Sequence, residues 1–372
     1  MKRTTVYLLT AVALVVLAAC EPNLPAGGPA ATSSASGVAG PAAGTSPSAA
    51  PATPTTAVNA STAVPPTGMT SASAGPSSSG AAVPAPTADG FAAGTTGGVA
   101  GATVTVTTAA DLARYAGADQ PYVLTVTGVI ALTGQIKVAS NKTIVGAAKG
   151  AGLTGGGLNI RNVTNVIVRN LTISLATGTD AISVYGSQHV WITQNDLSSD
   201  MTHGKDYYDG LLDITKASDL VTVSWNRFHD HYKVMLISAS DDDTADRGKL
   251  HVTIHHNWFT NVNSRLPSLR FGTGHVYDNV FQTADTAVNS RMGAVVLLES
   301  NVFRGVGTPV ITTGYSTEPG TAILSSDHPN DFGNATPAGT AASSSTVQLP
   351  YAYLAEPAAT IAASVPAGAG PR

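Results

Sequence analysis

The chain has one cysteine in 372 residues, and only 11% of its residues are charged. With Cys20 alone, no internal disulfide can form, so core packing must hold whatever folds. The formal net charge is −4, without the basic excess that a nucleic-acid partner demands, so none is expected. After residue 20 there is no second apolar run of bilayer length, which speaks against an integral membrane protein.

Large apolar side chains are scarce between residues 21 and 96, a stretch made almost wholly of Ala, Pro, Ser, Thr and Gly. With so little to bury, it cannot offset the entropy of ordering and reads as a disordered tether. Residues 1–20 supply a basic start at Lys2 and Arg3, an apolar run and the ending Leu17-Ala18-Ala19-Cys20. This is the anatomy of an export signal. It resembles a bacterial lipoprotein signal, in which the cysteine becomes the lipidated first residue. The expectation is an exported protein, on the cell surface or secreted, that touches membrane only through a lipid at Cys20. Residues 97–372 are left for one large, monomeric domain.

That region is full of short β-branched strings, among them NVIVRNLTIS, HVWITQNDLS, LVTVSWNRF and HVTIHHNWF. Apolar and polar residues alternate with period two, as in Val221, Val223 and Trp225 against Thr222 and Ser224. Six strings close on Asn, at Asn170, Asn195, Asn226, Asn257, Asn279 and Asn301, with gaps of 25, 31, 31, 22 and 22 residues. No gap contains a convincing helix, so a doubly wound sheet is disfavoured. A coil that returns to the same place on each lap fits better, giving an all-β, right-handed parallel β-helix. An Asn at each corner could then bond the bend it sits in and the coils above and below.

The few charges fall into register on this coil. Counted from the anchor valines Val166, Val221 and Val252, Asp180, Lys233 and Arg265 lie 14, 12 and 13 residues on. Asp209 and Asp213 precede Val221 by 12 and 8 residues, and Asp180 precedes Val190 by 10. With coils about 4.8 Å apart, an acidic cluster is expected beside a basic one on a single face. Three carboxylates without softer ligands suit a hard cation such as Ca²⁺. His229, His231, His251, His255 and His256 interleave with strand residues and lack a closed ligand set, which reads against zinc. Asp241, Asp242 and Asp243 read as a solvated loop, and Trp225 and Trp258 as packing near strand ends.

The segments at 209–242 and 251–281, with the Arg265-x-Pro267-x-x-Arg270 turn between strands, resemble the pectate lyases of polysaccharide lyase family 1. The resemblance covers about residues 97–372, including the ending PYAYLAEPAATIAASVPAGAG. It implies that Asp180, Asp209 and Asp213 hold Ca²⁺, that Lys233 and Arg270 bind the uronate, and that Arg265 abstracts a proton. Members often carry an Asp two residues before the position of Asp180, where this chain has Gly178, so the resemblance implies weaker resting affinity for the ion.

The implied reaction removes the weakly acidic proton α to a uronate carboxylate and expels the glycosidic oxygen β to it. Cations on that carboxylate offset the charge that develops in the transition state. An arginine is an unusual base, but positive neighbours disfavour its charged form. A pectin lyase working without calcium, a hydrolase with paired carboxylates and a binder of surface polysaccharide are the competing readings.

Overall fold

The computed structural model describes residues 87–339 and 347–372. The expected signal segment 1–20 with Cys20, and the tether as far as residue 86, lie outside the described residues. Within them the chain coils into a parallel β-helix of about nine turns. One sheet has ten parallel strands, among them Thr164–Arg169, Gln188–Thr193, Asp219–Ser224, His251–His255 and Thr273–Tyr277. The second sheet has fourteen strands in two legs, which meet at the twelve-residue strand Val280–Arg291. Each lap therefore crosses the first sheet, turns a corner, runs down one leg and returns along the other.

Period-two patterning puts one residue in two into the bore of the coil. Val166, Val190, Val221 and Val252 share one register, as the anchor-valine count requires, and all are fully buried. One residue type in a register stacks in a ladder: Phe228, Phe259, Phe281 and Phe303 lie with ring centroids 4.7–5.0 Å apart. The asparagine corner is a second ladder. Asn195 donates from its side-chain amide to Oδ1 of Asn226 at 3.0 Å, and the pattern repeats through Asn257, Asn279 and Asn301 to Asn330. Every backbone N–H at these corners also finds the Oδ1 of the next coil, so the bend is satisfied without water.

Two expectations need correction. Asn170 is not in the ladder, because Leu171 takes the corner position and donates its N–H to Oδ1 of Asn195. Asn170 instead holds the backbone N–H of Arg372, and Asn330 supplies the sixth rung. The domain boundary expected at residue 97 also falls inside a packed segment. Phe91 and Ala92 lie buried on the outer face of the first sheet and give their N–H groups to Thr253 and Thr222. The glycines of this segment serve contact as much as flexibility: a side-chain carbon on Gly98 would lie 1.8 Å from the carbonyl oxygen of Tyr122.

Candidate active site

The six singled-out residues gather along the return leg of the second sheet. Asp180 stands just ahead of the strand Ile182–Tyr185, Asp213 lies within Leu212–Thr215, and Asp209 is on the loop leading into it. Lys233 ends the strand Arg227–Lys233, three residues before the return-leg strand Leu236–Ile237. Arg265 precedes the strand Ser268–Arg270, which Arg270 closes. Neighbouring coils thus bring acid and base together, as the spacing predicts. Their registers differ in detail: Asp213 faces Ser183, and Lys233 faces Ser264.

Asp180 and Asp213 approach one point from adjacent coils. Asp180 accepts from Gly210 N–H at 2.9 Å and from the Ser183 hydroxyl at 2.5 Å, while Asp213 accepts from Leu236 N–H at 3.1 Å. Gln135, from two coils away, donates in turn to Ser183 Oγ at 2.7 Å, which fixes that hydroxyl toward Asp180. Burial, reinforced by the charge of Asp209, pushes the Asp180 carboxyl up to about 6. Burial and then the Asp180 charge push Asp213 well above the ordinary range. Two carboxylates facing one another with few cations between them form an unbalanced site. The donor set is oxygen only, and the glycine at position 210 leaves the space between the acids open. A hard divalent cation fits such a cradle.

The cations line the next coils. Lys233 Nζ is 2.9 Å from Asp206 Oδ1 and 3.9 Å from Asp209 Oδ1. Arg270 Nε donates to Asp241 at 2.5 Å, and its Nη1 to the carbonyl of Ser238 at 2.8 Å. Arg265 differs: no carboxylate among the described residues pairs with it, and it sits half-buried at a left-handed backbone position with φ 64°. Its carbonyl accepts from Met235 N–H at 2.8 Å, which anchors the turn to the coil before it.

Several residues of this face escaped the sequence reading. The first is His231. It is buried, with Nε2 2.6 Å from the Asp209 carbonyl and Nδ1 2.5 Å from Ser199 Oγ, so it orients the loop that carries Asp209. Burial lowers its imidazole to about 4, so it stays neutral. Arg291 lies beside Arg270 in the next register, and burial together with the Arg270 charge lowers it to about 10. Asp241 and Asp243 are not merely solvated, since they pair with Arg270 and Lys216. Asp206 and Asp241 belong to loops, where no period marks them; only their pairing with Lys233 and Arg270 in space brings them out.

A pectate lyase family model matches residues 67–370. Pectate lyase A of Emericella nidulans is 44% identical over 246 residues, covering 65% of this chain and 73% of the relative. The pectate trisaccharide-lyase of Bacillus licheniformis is 40% identical over 280 residues, covering 71% and 80%. Among solved structures, pectate lyase Bsp165PelA from Bacillus sp. N165, in complex with trigalacturonate, superposes with a TM-score of 0.69. It is 30% identical over 76% of this chain and 98% of that one.

Proposed function

The chain belongs to the pectate lyase family and is a pectate lyase, and we propose that it cleaves pectate by calcium-dependent β-elimination with Arg265 as the base. The observation that carries this reading is the juxtaposition of the Asp180 and Asp213 pair with Arg265, whose guanidinium pairs with no carboxylate among the described residues. A polyuronate brings one carboxylate per sugar, the trigalacturonate of the solved relative being of this class. Lys233 and Arg270 offer positive charge to such groups from adjacent coils.

Asp180, Asp213 and the loop carboxylate of Asp209 would hold Ca²⁺. When bound, the ion supplies positive charge to the uronate carboxylate and so acidifies the α-proton. Lys233 and Arg270 orient that carboxylate and add to the same effect. Arg265 would accept the proton as a neutral guanidine, with no carboxylate among the described residues to hold it as the cation, whereas Lys233 and Arg270 are tied to Asp206 and Asp241. Expulsion of the glycosidic oxygen then leaves an unsaturated sugar end. In this reading the enzyme is exported, acts as a monomer and is tethered by a lipid at Cys20.

The test is the ultraviolet absorbance of the unsaturated product with polygalacturonate at alkaline pH, first with Ca²⁺ and then with a chelator. A calcium-dependent rise is expected. Reducing ends without absorbance would make the reaction hydrolysis. A rise that ignores the chelator and prefers methyl-esterified polymer would make it that of a pectin lyase.

A further inference from the structure

The corner that follows the first sheet carries a second constellation, unrelated to the aspartate pair. The residue just before each ladder asparagine from Asn195 to Asn301 has a left-handed backbone: Trp225, His256 and Asp278 have φ of 56°, 53° and 53°. Successive coils therefore present these side chains as neighbours in one outward column. His256 stacks on Trp225 with ring centroids 4.3 Å apart, which fixes the plane of its imidazole. Its Nε2 lies 3.6 Å from Asp278 Oδ2 and 3.2 Å from Oε1 of Glu356, which arrives from the C-terminal segment. Glu356 is locked there because its own backbone N–H donates to the Asp278 carboxylate at 3.0 Å.

The proton count at this cluster is informative. His255 Nε2 faces Asp89 Oδ1 at 3.2 Å, and His255 Nδ1 faces His256 Nδ1 at 2.8 Å. An ionised Asp89 only accepts, so His255 donates from Nε2 and accepts at Nδ1. His256 must then donate from Nδ1. Its Nε2 is directed at two carboxylates, one of them on the fully buried Asp278. A divalent cation in the middle of that triangle would be within reach of all three side chains. The separations of 3.2 and 3.6 Å bracket the edge of a tetrahedron with metal–ligand bonds of about 2.1 Å, which is about 3.4 Å. A relay of carboxylate, outer histidine and ligand histidine is also how metal-bound imidazoles are oriented.

We propose that His256, Asp278 and Glu356 form a binding site for a borderline divalent cation, Zn²⁺ in the first instance, with solvent in the fourth position. Its ligands come from two coils and from the C-terminal segment, so the ion acts as a staple for that segment. One imidazole with two carboxylates separates it from the oxygen-only cradle at Asp180 and Asp213. Spacing alone could not reveal it, because Glu356 lies 78 residues beyond Asp278 in the chain.

The experiment is calorimetric titration of the chelator-treated full chain with Zn²⁺, in Ca²⁺-containing buffer so that the aspartate pair does not compete. One saturable equivalent is expected, accompanied by a rise in melting temperature. Glu356→Gln, on a side chain that is 39% exposed and safe for folding, should weaken binding by about 100-fold or more and abolish the thermal shift. His256→Gln should do the same, and Asp213→Asn should leave zinc affinity unchanged. Absence of a saturable equivalent would overturn the proposal and put a proton on His256 Nε2 instead. Binding that is undiminished in both Glu356→Gln and His256→Gln would overturn it too.

Discussion

The backbone of Gly210 parts the carboxylates of Asp180 and Asp213 so narrowly that a side-chain carbon there would lie 3.0 Å from one Oδ1 and 2.4 Å from the other. A methyl group must therefore displace Asp213, whose Oδ1 is held by Leu236 N–H. Gly210→Ala is expected to raise the Ca²⁺ concentration needed for half-maximal activity by about tenfold or more. The fold should survive, since the position is not left-handed. A calcium titration of initial rates decides it, and an unchanged midpoint would remove the pair from the metal site.

The same pair sets a pH dependence of the metal-free protein. Both carboxyls have folded values above the ordinary one, Asp180 at about 6, so the folded state holds more protons than the unfolded chain between about pH 4 and 6. Metal-free stability should then fall as pH rises through this window, the reverse of a salt-bridged aspartate. Each kcal/mol corresponds to about 2–4 °C in a domain of this size. Melting curves in chelator from pH 4.5 to 7.5, compared with Asp213→Asn, test the sign; the variant should lose about half of the slope below pH 6, where Asp180, raised by its own burial, supplies the rest.

The repeat was legible because it is written in period two and in a recurring corner asparagine, both of which follow from backbone geometry. Val166, Val190, Val221 and Val252 share a register as counted. Asn170 misled because its neighbour Leu171, not Asn170 itself, stands at the corner. The candidate acids and bases were legible where they sit at a fixed phase of a lap. Asp206, Asp241 and Glu356 were not, because loops and the C-terminal segment have no period and reach their partners only in space. Composition misjudged residues 87–96, whose small side chains let the backbone lie flat against the first sheet.

The asparagine ladder yields a stability contrast. Asn257 is fully buried and serves Asn226, Asn279 and the carbonyls of Val223 and His255. Asn257→Ala strands several of these groups and should cost about 2–4 kcal/mol. Asn170→Ala, outside the ladder, should cost under about 1 kcal/mol. Denaturant unfolding of the two variants separates a ladder from a set of ordinary turn residues, because similar losses would deny the ladder its role.

Lys233 is held by Asp206, whose side chain is 85% exposed. A uronate carboxylate reaching Lys233 must displace that partner. Asp206→Asn should therefore lower KM for polygalacturonate by about two- to fivefold with little change in kcat, as expected when a competing ion pair of modest strength is removed. Steady-state kinetics at fixed Ca²⁺ check it. A rise in KM would mean that Asp206 positions Lys233 rather than competing for it.

Arg265 and Arg270 are separated by one turn yet are predicted to fail in different ways. Arg270 is tied to Asp241 and to the Ser238 carbonyl, so its charge is anchored and suited to holding a carboxylate. Arg265 has no such partner among the described residues, and its turn is fixed through the backbone bond to Met235. Arg265→Lys keeps a positive charge near the site but replaces the planar guanidinium, so binding should persist while proton abstraction fails. The expected result is a kcat lower by about 10²–10⁴-fold, the span attributed to a positioned acid or base, with KM within about threefold. Arg270→Lys should show the opposite split, a raised KM with a smaller loss of kcat, because a bidentate clamp becomes a point charge. If Arg265→Lys raises KM and leaves kcat near normal, the two arginines are both clamps and the base must be sought elsewhere on the same face.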